Sequence, residues 1–175
     1  IRARAAGAAG VQVGTLFAYA DESGLTEEYK CSVLAHAARG AVSVYTDPHA
    51  SPTGYPFKIV QWPEDPAAGR SRTRICDIGG LRVPYQRADG RVGYRCPAEP
   101  VDAYVEKGGA VEDTVGRRCL CNALMANIGH AQVREDGQVE PPLLTSGDDL
   151  MQVGSFLGGR TSYTAADVIT HLLGR

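Results

Sequence analysis

The spacing of apolar residues predicts the secondary structure of the first forty or so positions. The alanine-rich stretch 1–9 is compatible with a helix, and the apolar positions of 11–16 predict a short buried strand. Thr26 is suited to cap a following helix whose apolar residues share one face, and Gly40 suits the left-handed end of that helix. The order helix, strand, loop, helix is typical of one repeat of an α/β fold.

The middle of the chain changes character, because glycine and proline are concentrated there. Segments 41–45 and 57–62 are compatible with strands. Between them lies turn chemistry without any period. The dipeptide Asp89-Gly90, inside the segment 75–94, predicts a β-hairpin. We therefore expect an irregular region with short strands.

Helix signals return after residue 100, where four short helices are predicted. The first begins at Pro100 and closes at Gly108-Gly109, and the second covers 120–128 and ends at Gly129. Each of the last two has a threonine followed three residues later by an aspartate, in the manner of a capping box. These pairs are Thr145 with Asp148, and Thr164 with Asp167.

Composition and charge narrow the classes of function. The chain has 175 residues, of which 43% are hydrophobic and 22% charged, as in ordinary globular proteins. Its net charge of -2, without a basic block, argues against a nucleic-acid partner. The apolar runs are too short for a membrane helix, and no signal peptide is evident. We therefore expect a cytoplasmic protein with neither nucleic acid nor membrane as a partner.

The end of the predicted strand, at Gly14-Thr15, is a candidate site for a cofactor phosphate. A glycine lets backbone N–H groups approach a ligand closely, and successive N–H groups form an anion site. In (β/α)8 barrels the loops after the last two strands commonly hold such a phosphate. The predicted strand has no sheet partner upstream, so the other barrel strands are expected from residues outside this chain.

Several stretches resemble the carboxyl-terminal part of the nitronate monooxygenases, formerly called 2-nitropropane dioxygenases. They are residues 10–15, Glu22-Ser23 and residues 47–58. That family consists of FMN-dependent (β/α)8 barrels related to flavin-dependent enoyl-acyl-carrier-protein reductases. The resemblance implies an α/β fold in which residues 1–60 supply the last strand and helix of a TIM barrel. Residues 61–175 would then form an irregular, helix-containing extension that packs on the barrel.

The resemblance also implies site residues. The stretch Gln12, Val13, Gly14 and Thr15 matches the family's Gln-x-Gly-Thr segment, which binds the FMN phosphate. The loop 51–57 resembles the family's Ser-Gly-Arg-Pro loop beside the flavin, although the arginine is replaced here. The expected flavin and substrate loop therefore comprises Ser51, Thr53, Gly54 and Tyr55.

The activity that the resemblance implies is an FMN-dependent oxidation of a small carbanionic or nitronate substrate by oxygen. Two alternatives stay open: an enoyl reductase-like enzyme that uses NAD(P)H, and a fragment or subunit that completes a barrel with another chain. None of the four histidines lies in the family's catalytic motif. The catalytic base is therefore expected in the amino-terminal barrel half, in the same gene product or a second chain. A homo-oligomer also stays open.

Four of the five cysteines lie in the extension, at Cys76, Cys96, Cys119 and Cys121. Disulfides are rare in cytosolic proteins, whereas four thiolates suit zinc or, as an alternative, an iron–sulfur cluster. The spacing includes one Cys-x-Cys pair but no Cys-x-x-Cys pair, so separate reduced thiols stay open as well. The fifth, Cys31, is expected to be a small buried apolar residue.

A shared metal would place two demands on the sequence around the Cys-x-Cys pair. Cys119 and Cys121 can face one ion only if the following helix starts after Leu120. Arg117 and Arg118 would offset part of the negative charge of the thiolates.

Overall fold

The protein combines short helices with two small sheets in a computed structural model, which describes residues 2–65, 68–69 and 72–174. The helices are α1 (Arg2–Ala5), α2 (Thr15–Ala18), α3 (Glu27–Ala38), α4 (Val101–Glu106), α5 (Leu120–Asn127), α6 (Val153–Leu157) and α7 (Ala165–Leu173). The strands are β1 (Ser43–Asp47), β2 (Phe57–Gln61), β3 (Val83–Gln86) and β4 (Val92–Arg95). Two 3₁₀ helices cover Val111–Thr114 and Asp148–Gln152. Of the helices that the structure describes, none has the length and apolar character needed to cross a membrane.

The chain divides into two compact units. The first comprises Ile1–Val44, Val60–Asp65 and Ser146–Arg175, and the second comprises Tyr45–Ile59 and Pro66–Thr145. The carboxyl-terminal segment therefore belongs to the same unit as the amino-terminal one. This partition differs from the sequence boundary expected at residue 60.

The core of the first unit forms where α3 packs against α6. Thr26 occupies the N-cap position of α3 as predicted, but its buried hydroxyl makes no capping hydrogen bond. Gly40 has a φ of 69° just beyond the helix end, which confirms that prediction. Burial of a Val or Leu side chain contributes roughly 1.5–3 kcal/mol. The buried apolar residues of these two helices are Val33, Leu34, Ala37, Val153 and Leu157.

At Gly154 helix α6 lies close to the backbone of α3. A Cβ atom at this position would lie 3.1 Å from both the Ala37 carbonyl oxygen and the Ala38 Cα. Because these are backbone atoms, they cannot move aside without shifting α3. We expect Gly154→Val to lower the free energy of unfolding by about 1–3 kcal/mol. Denaturant titration followed by the fluorescence of Trp62, which is buried in the same unit, measures the change.

Ser155→Val is the matched control, because it installs the same side chain at the next, exposed position of α6. We expect it to change the free energy of unfolding by no more than about 0.5 kcal/mol. Equal losses in the two variants would show that the close approach at Gly154 is not the cause.

The predicted strand over 11–16 is wrong. Residues 11–14 form neither helix nor strand, and α2 begins at Thr15. Val11 is 58% exposed rather than buried. A strand needs a neighbour to accept its backbone hydrogen bonds, and no described residue pairs with this segment. The alanine-rich helix is confirmed over Arg2–Ala5 alone, and Ile1 lies outside the described residues.

The second unit contains the predicted hairpin. Strands β3 and β4 pair antiparallel, with Val83 opposite Arg95 and Gln86 opposite Val92. Gly90 has a φ of 79° in the connecting turn, as the Asp-Gly dipeptide predicts. A small apolar cluster packs elsewhere in this unit. Its buried members are Ala50, Ile59, Leu120, Ala123 and Leu143.

The two predicted capping boxes have different outcomes. In α7 the Thr164 hydroxyl accepts the Asp167 N–H at 3.2 Å, and Asp167 accepts the Thr164 N–H at 2.8 Å, so this box is confirmed. Thr145 caps nothing, because the 3₁₀ helix that begins at Asp148 has Gly147 as its N-cap residue. The backbone N–H of Gly147 also donates to the Thr15 hydroxyl at 3.2 Å.

Candidate functional site

The segment predicted to hold the phosphate, residues 12–15, lies in the first unit. Gly14 is the N-cap residue of α2, and a Cβ atom there would meet nothing within 4 Å. Among the hydrogen bonds between described residues, none uses the backbone N–H of Val13, Gly14 or Thr15 as its donor. Such N–H groups at a turn are the donors that bind an anion.

The side chain of Thr15 is already engaged. Its hydroxyl donates to Asp149 Oδ1 at 2.8 Å and accepts the Gly147 N–H at 3.2 Å. Thr15 is buried, so the hydroxyl is a structural link to the 3₁₀ helix rather than a direct phosphate ligand. The Asp149 carboxylate also brings negative charge to this place, which opposes an anion.

A cavity of about 600 Å³ lies beside this segment in the first unit. Leu16, which follows Thr15, and Asp149, which accepts the Thr15 hydroxyl, both line it. The ring of Phe156 lines another part and meets the His171 ring edge-on, with 5.0 Å between centroids. The volume falls within the range typical of small-molecule sites. Sequence patterns gave no sign of Phe156 or His171 at a ligand site.

The predicted flavin loop lies in the second unit and is held by its own hydrogen bonds. The hydroxyls of Ser51 and Thr53 are 2.7 Å apart, and the Gly54 N–H donates to the Ser51 carbonyl at 3.2 Å. Gly54 has a φ of 82°, which only glycine adopts readily. Tyr55 is exposed. The loop is thus a formed turn with an aromatic side chain free to meet a ligand.

A guanidinium reaches this loop from a distant part of the sequence. Arg117 Nη1 donates to the His49 carbonyl at 2.9 Å and to the Ser51 carbonyl at 2.6 Å. The loop therefore has a positive charge beside it, although its own sequence lacks the arginine of the related loop. In the same region, Arg118 Nη2 lies 3.6 Å from Asp47 Oδ2, which forms an ion pair. Both arginines were expected to offset part of the charge of the thiolates, whereas their guanidinium groups contact the loop and Asp47.

The four cysteines of the extension belong to the second unit, and hydrogen bonds join the segments that carry them. Asn122 Nδ2 donates to the Ile75 carbonyl at 3.2 Å and to Asp77 Oδ2 at 2.9 Å. These bonds link the first turn of α5 to the residues on both sides of Cys76.

Two further contacts involve the segments that carry Cys96 and Cys121. Arg74 Nη1 donates to the Pro97 carbonyl at 3.0 Å, which links the segment before Cys76 to the residue after Cys96. A Cβ atom at Gly80 would lie 3.5 Å from the Cys121 sulfur. Three separate stretches of chain therefore meet around the thiols.

The surroundings of Cys96 and Cys119 include groups that raise the pKa of each thiol and groups that lower it. Burial raises the pKa of Cys96 and of Cys119, the latter to about 11. Hydrogen bonds from the backbone N–H of Ala98 to Cys96 and of Asn122 to Cys119 act in the opposite direction on each pKa. The sulfurs of Cys76 and Cys121 raise the pKa of both groups, which places them within electrostatic reach.

The sulfurs do not form a closed coordination shell. Within the described part of the chain, no group of three or more His, Cys, Asp and Glu side chains is arranged to hold a metal ion. Helix α5 begins at Leu120, with Cys119 as its extended N-cap residue, so Cys121 lies in the first turn of the helix. The expectation that the helix starts after Leu120 is therefore wrong.

Arg82 is the cation that sequence reasoning missed at the cysteines. Its Nη2 donates to the Cys76 carbonyl at 2.9 Å, and a side-chain hydrogen bond and charge attraction from Cys76 raise the pKa of Arg82. The fifth cysteine, Cys31, is exposed on α3, where its thiol donates to Glu27 Oε1 at 3.3 Å. The expectation that Cys31 is buried is wrong, because it lies on the outer face of that helix.

Comparison with known proteins gives no match: no family model, no curated protein and no solved structure is significantly similar to this chain.

Proposed function

We propose that this chain is part of an FMN-dependent oxidoreductase of the nitronate monooxygenase type, and that the cavity beside residues 12–15 receives the phosphate end of FMN. One observation carries the proposal. The N–H groups of Val13, Gly14 and Thr15 have no acceptor among the described residues, and the next residue, Leu16, lines a cavity of about 600 Å³. Backbone donors beside a cavity of that size fit a small anionic ligand.

The contribution of this chain would be binding and orientation. The missing side chain at Gly14 leaves room for phosphate oxygens to approach the backbone N–H groups. Leu16, Val153 and Phe156 form an apolar part of the cavity wall, which would contact the uncharged part of the ligand. The flavin supplies the redox chemistry when bound, by accepting electrons from a carbanionic or nitronate substrate and passing them to oxygen.

The proposal includes partners for this chain. The described residues form two two-stranded sheets, whereas a TIM barrel needs eight parallel strands in one closed sheet. The remaining strands and the catalytic base would come from other residues, in the same polypeptide or in a second chain. A cytoplasmic location is part of the proposal, because the described cysteines are all free thiols, which persist in a reducing compartment.

Flavin titration tests the phosphate site directly. The full chain is titrated with FMN and separately with riboflavin, which lacks the phosphate, while flavin fluorescence is followed. We expect saturable FMN binding that is at least about tenfold tighter than riboflavin binding, equivalent to about 1.4 kcal/mol. Equal affinity for the two flavins, or no saturable binding of either, would refute the assignment of residues 12–15.

Asp149 offers a more specific prediction. Because its carboxylate accepts the Thr15 hydroxyl, its charge opposes a phosphate at the neighbouring N–H groups. We expect Asp149→Asn to tighten FMN binding roughly fivefold, equivalent to about 1 kcal/mol, and to leave riboflavin binding unchanged. The matched control is Asp148→Asn, which removes the same charge at a residue that does not line the cavity. The same gain in both variants would mean that net charge, and not this site, governs the affinity.

A further inference from the structure

We propose that Cys76, Cys96, Cys119 and Cys121 bind one zinc ion that organises the second unit. This inference does not depend on the flavin proposal, because all four residues and all the contacts that carry it lie within the second unit.

The first support is convergence of three segments far apart in sequence. The side chain of Arg74 bonds the residue after Cys96, and the side chain of Asn122 bonds the residues on both sides of Cys76. Cys121 lies near Gly80, where an added Cβ atom would be in ordinary contact with its sulfur at 3.5 Å. The contacts thus join the three segments that carry the cysteines, and four cysteines are the ligand set of one class of structural zinc site.

The second support is the set of groups around the thiols. Backbone N–H groups of Ala98 and Asn122 donate to the sulfurs of Cys96 and Cys119. Hydrogen bonds of this kind stabilise and orient metal-bound thiolates. The Arg82 guanidinium donates a hydrogen bond to the Cys76 carbonyl. Its positive charge would offset part of the negative charge that a zinc ion with four thiolates carries.

The third support is the scarcity of other stabilising structure near the cysteines. The described residues between β2 and β3 form neither helix nor strand, although this stretch includes Cys76. The free energy of binding a structural zinc becomes free energy of folding, so an ion here would hold the stretch in place.

Binding requires the thiols to rearrange, since no three of them are arranged to hold an ion as they stand. Rotation about the Cα–Cβ bond moves a sulfur between staggered positions and leaves the backbone in place. Each thiol gives up its proton as the zinc–sulfur bond forms, and no redox change occurs. Four protein ligands leave no position for substrate, so the ion would be structural.

Metal analysis of the full chain, purified without chelators, tests the site. We expect one zinc ion per chain in the wild type and in Cys31→Ser, which removes the exposed cysteine of the first unit. We expect Cys96→Ser and Cys121→Ser to weaken zinc binding at least about tenfold in competition with a chelator. Absence of zinc from the wild type would overturn the proposal. So would iron with acid-labile sulfide, or a wild-type zinc content in both cluster variants.

Thiol labelling of the wild type keeps the test valid even where a variant fails to fold. With zinc bound, we expect a thiol reagent to modify Cys31 rapidly and the four cluster cysteines slowly. After removal of zinc by a chelator, all five should react. Equal labelling of the four cluster cysteines before and after zinc removal would overturn the proposal, because thiol protection must follow the metal.

Discussion

Gly14→Val is expected to abolish FMN binding by this chain, with a loss in affinity of at least about 100-fold, equivalent to about 2.7 kcal/mol. The valine side chain would occupy the space through which phosphate oxygens approach the N–H groups of Val13 and Thr15. Flavin fluorescence titration measures the loss. Gly14 has a φ of -105°, and a Cβ atom there would meet no neighbour within 4 Å. The variant should therefore fold normally, as far-ultraviolet circular dichroism can verify.

Gly10→Val is the matched control for this prediction. It makes the same substitution at another open glycine without a positive φ, outside the segment 12–15. We expect its affinity for FMN to equal that of the wild type. Undiminished FMN binding by Gly14→Val would place the phosphate elsewhere, and equal losses in both variants would indicate a general effect on the segment before α2.

Glu140→Ala is expected to lower the free energy of unfolding of the second unit by about 3 kcal/mol. Glu140 is 6% exposed and accepts hydrogen bonds from Arg72 Nη1 at 3.0 Å and Arg134 Nη2 at 2.9 Å. Arg134 also pairs with Asp77, next to Cys76. Removal of Glu140 leaves two largely buried guanidinium groups without their shared carboxylate, and uncompensated buried charge is costly.

Two control variants isolate the ion pairs from other effects. Glu135→Ala removes a carboxylate from an exposed position nearby and should change the free energy of unfolding by no more than about 0.5 kcal/mol. Glu140→Gln keeps the shape and one acceptor oxygen, so its loss should lie between the other two. Denaturant titration by circular dichroism is the suitable measurement, because Trp62 reports on the first unit. Equal losses for Glu135→Ala and Glu140→Ala would contradict the role of the ion pairs.

The elements that sequence predicted well are those fixed by nearby residues. Helix α3 begins after Thr26, the hairpin turns at Asp89-Gly90, and the capping box of α7 forms between Thr164 and Asp167. Each signal acts over a few positions, so periodicity and turn chemistry suffice. The strand over 11–16 failed because a strand exists through its neighbours, which its own sequence does not specify.

The candidate sites were predictable only in part for the same reason. The sequence indicated residues 12–15 and the four cysteines, which carry their chemistry in their residue types. It gave no sign that Asp149 would meet Thr15, 134 positions away, or that Arg117 would bind the loop at Ser51, 66 positions away. Side-chain bonds across such distances depend on the tertiary fold, and local patterns do not contain them.

The chromophore carried by the native protein tests the central claim most directly. The protein is purified from its natural host without added flavin, its visible spectrum is recorded, and any chromophore released on denaturation is identified by mass. We expect flavin absorption bands and release of FMN, in a one-to-one ratio with this chain. Purification of a colourless protein that also fails to bind added FMN, or release of a different chromophore, would contradict the assignment.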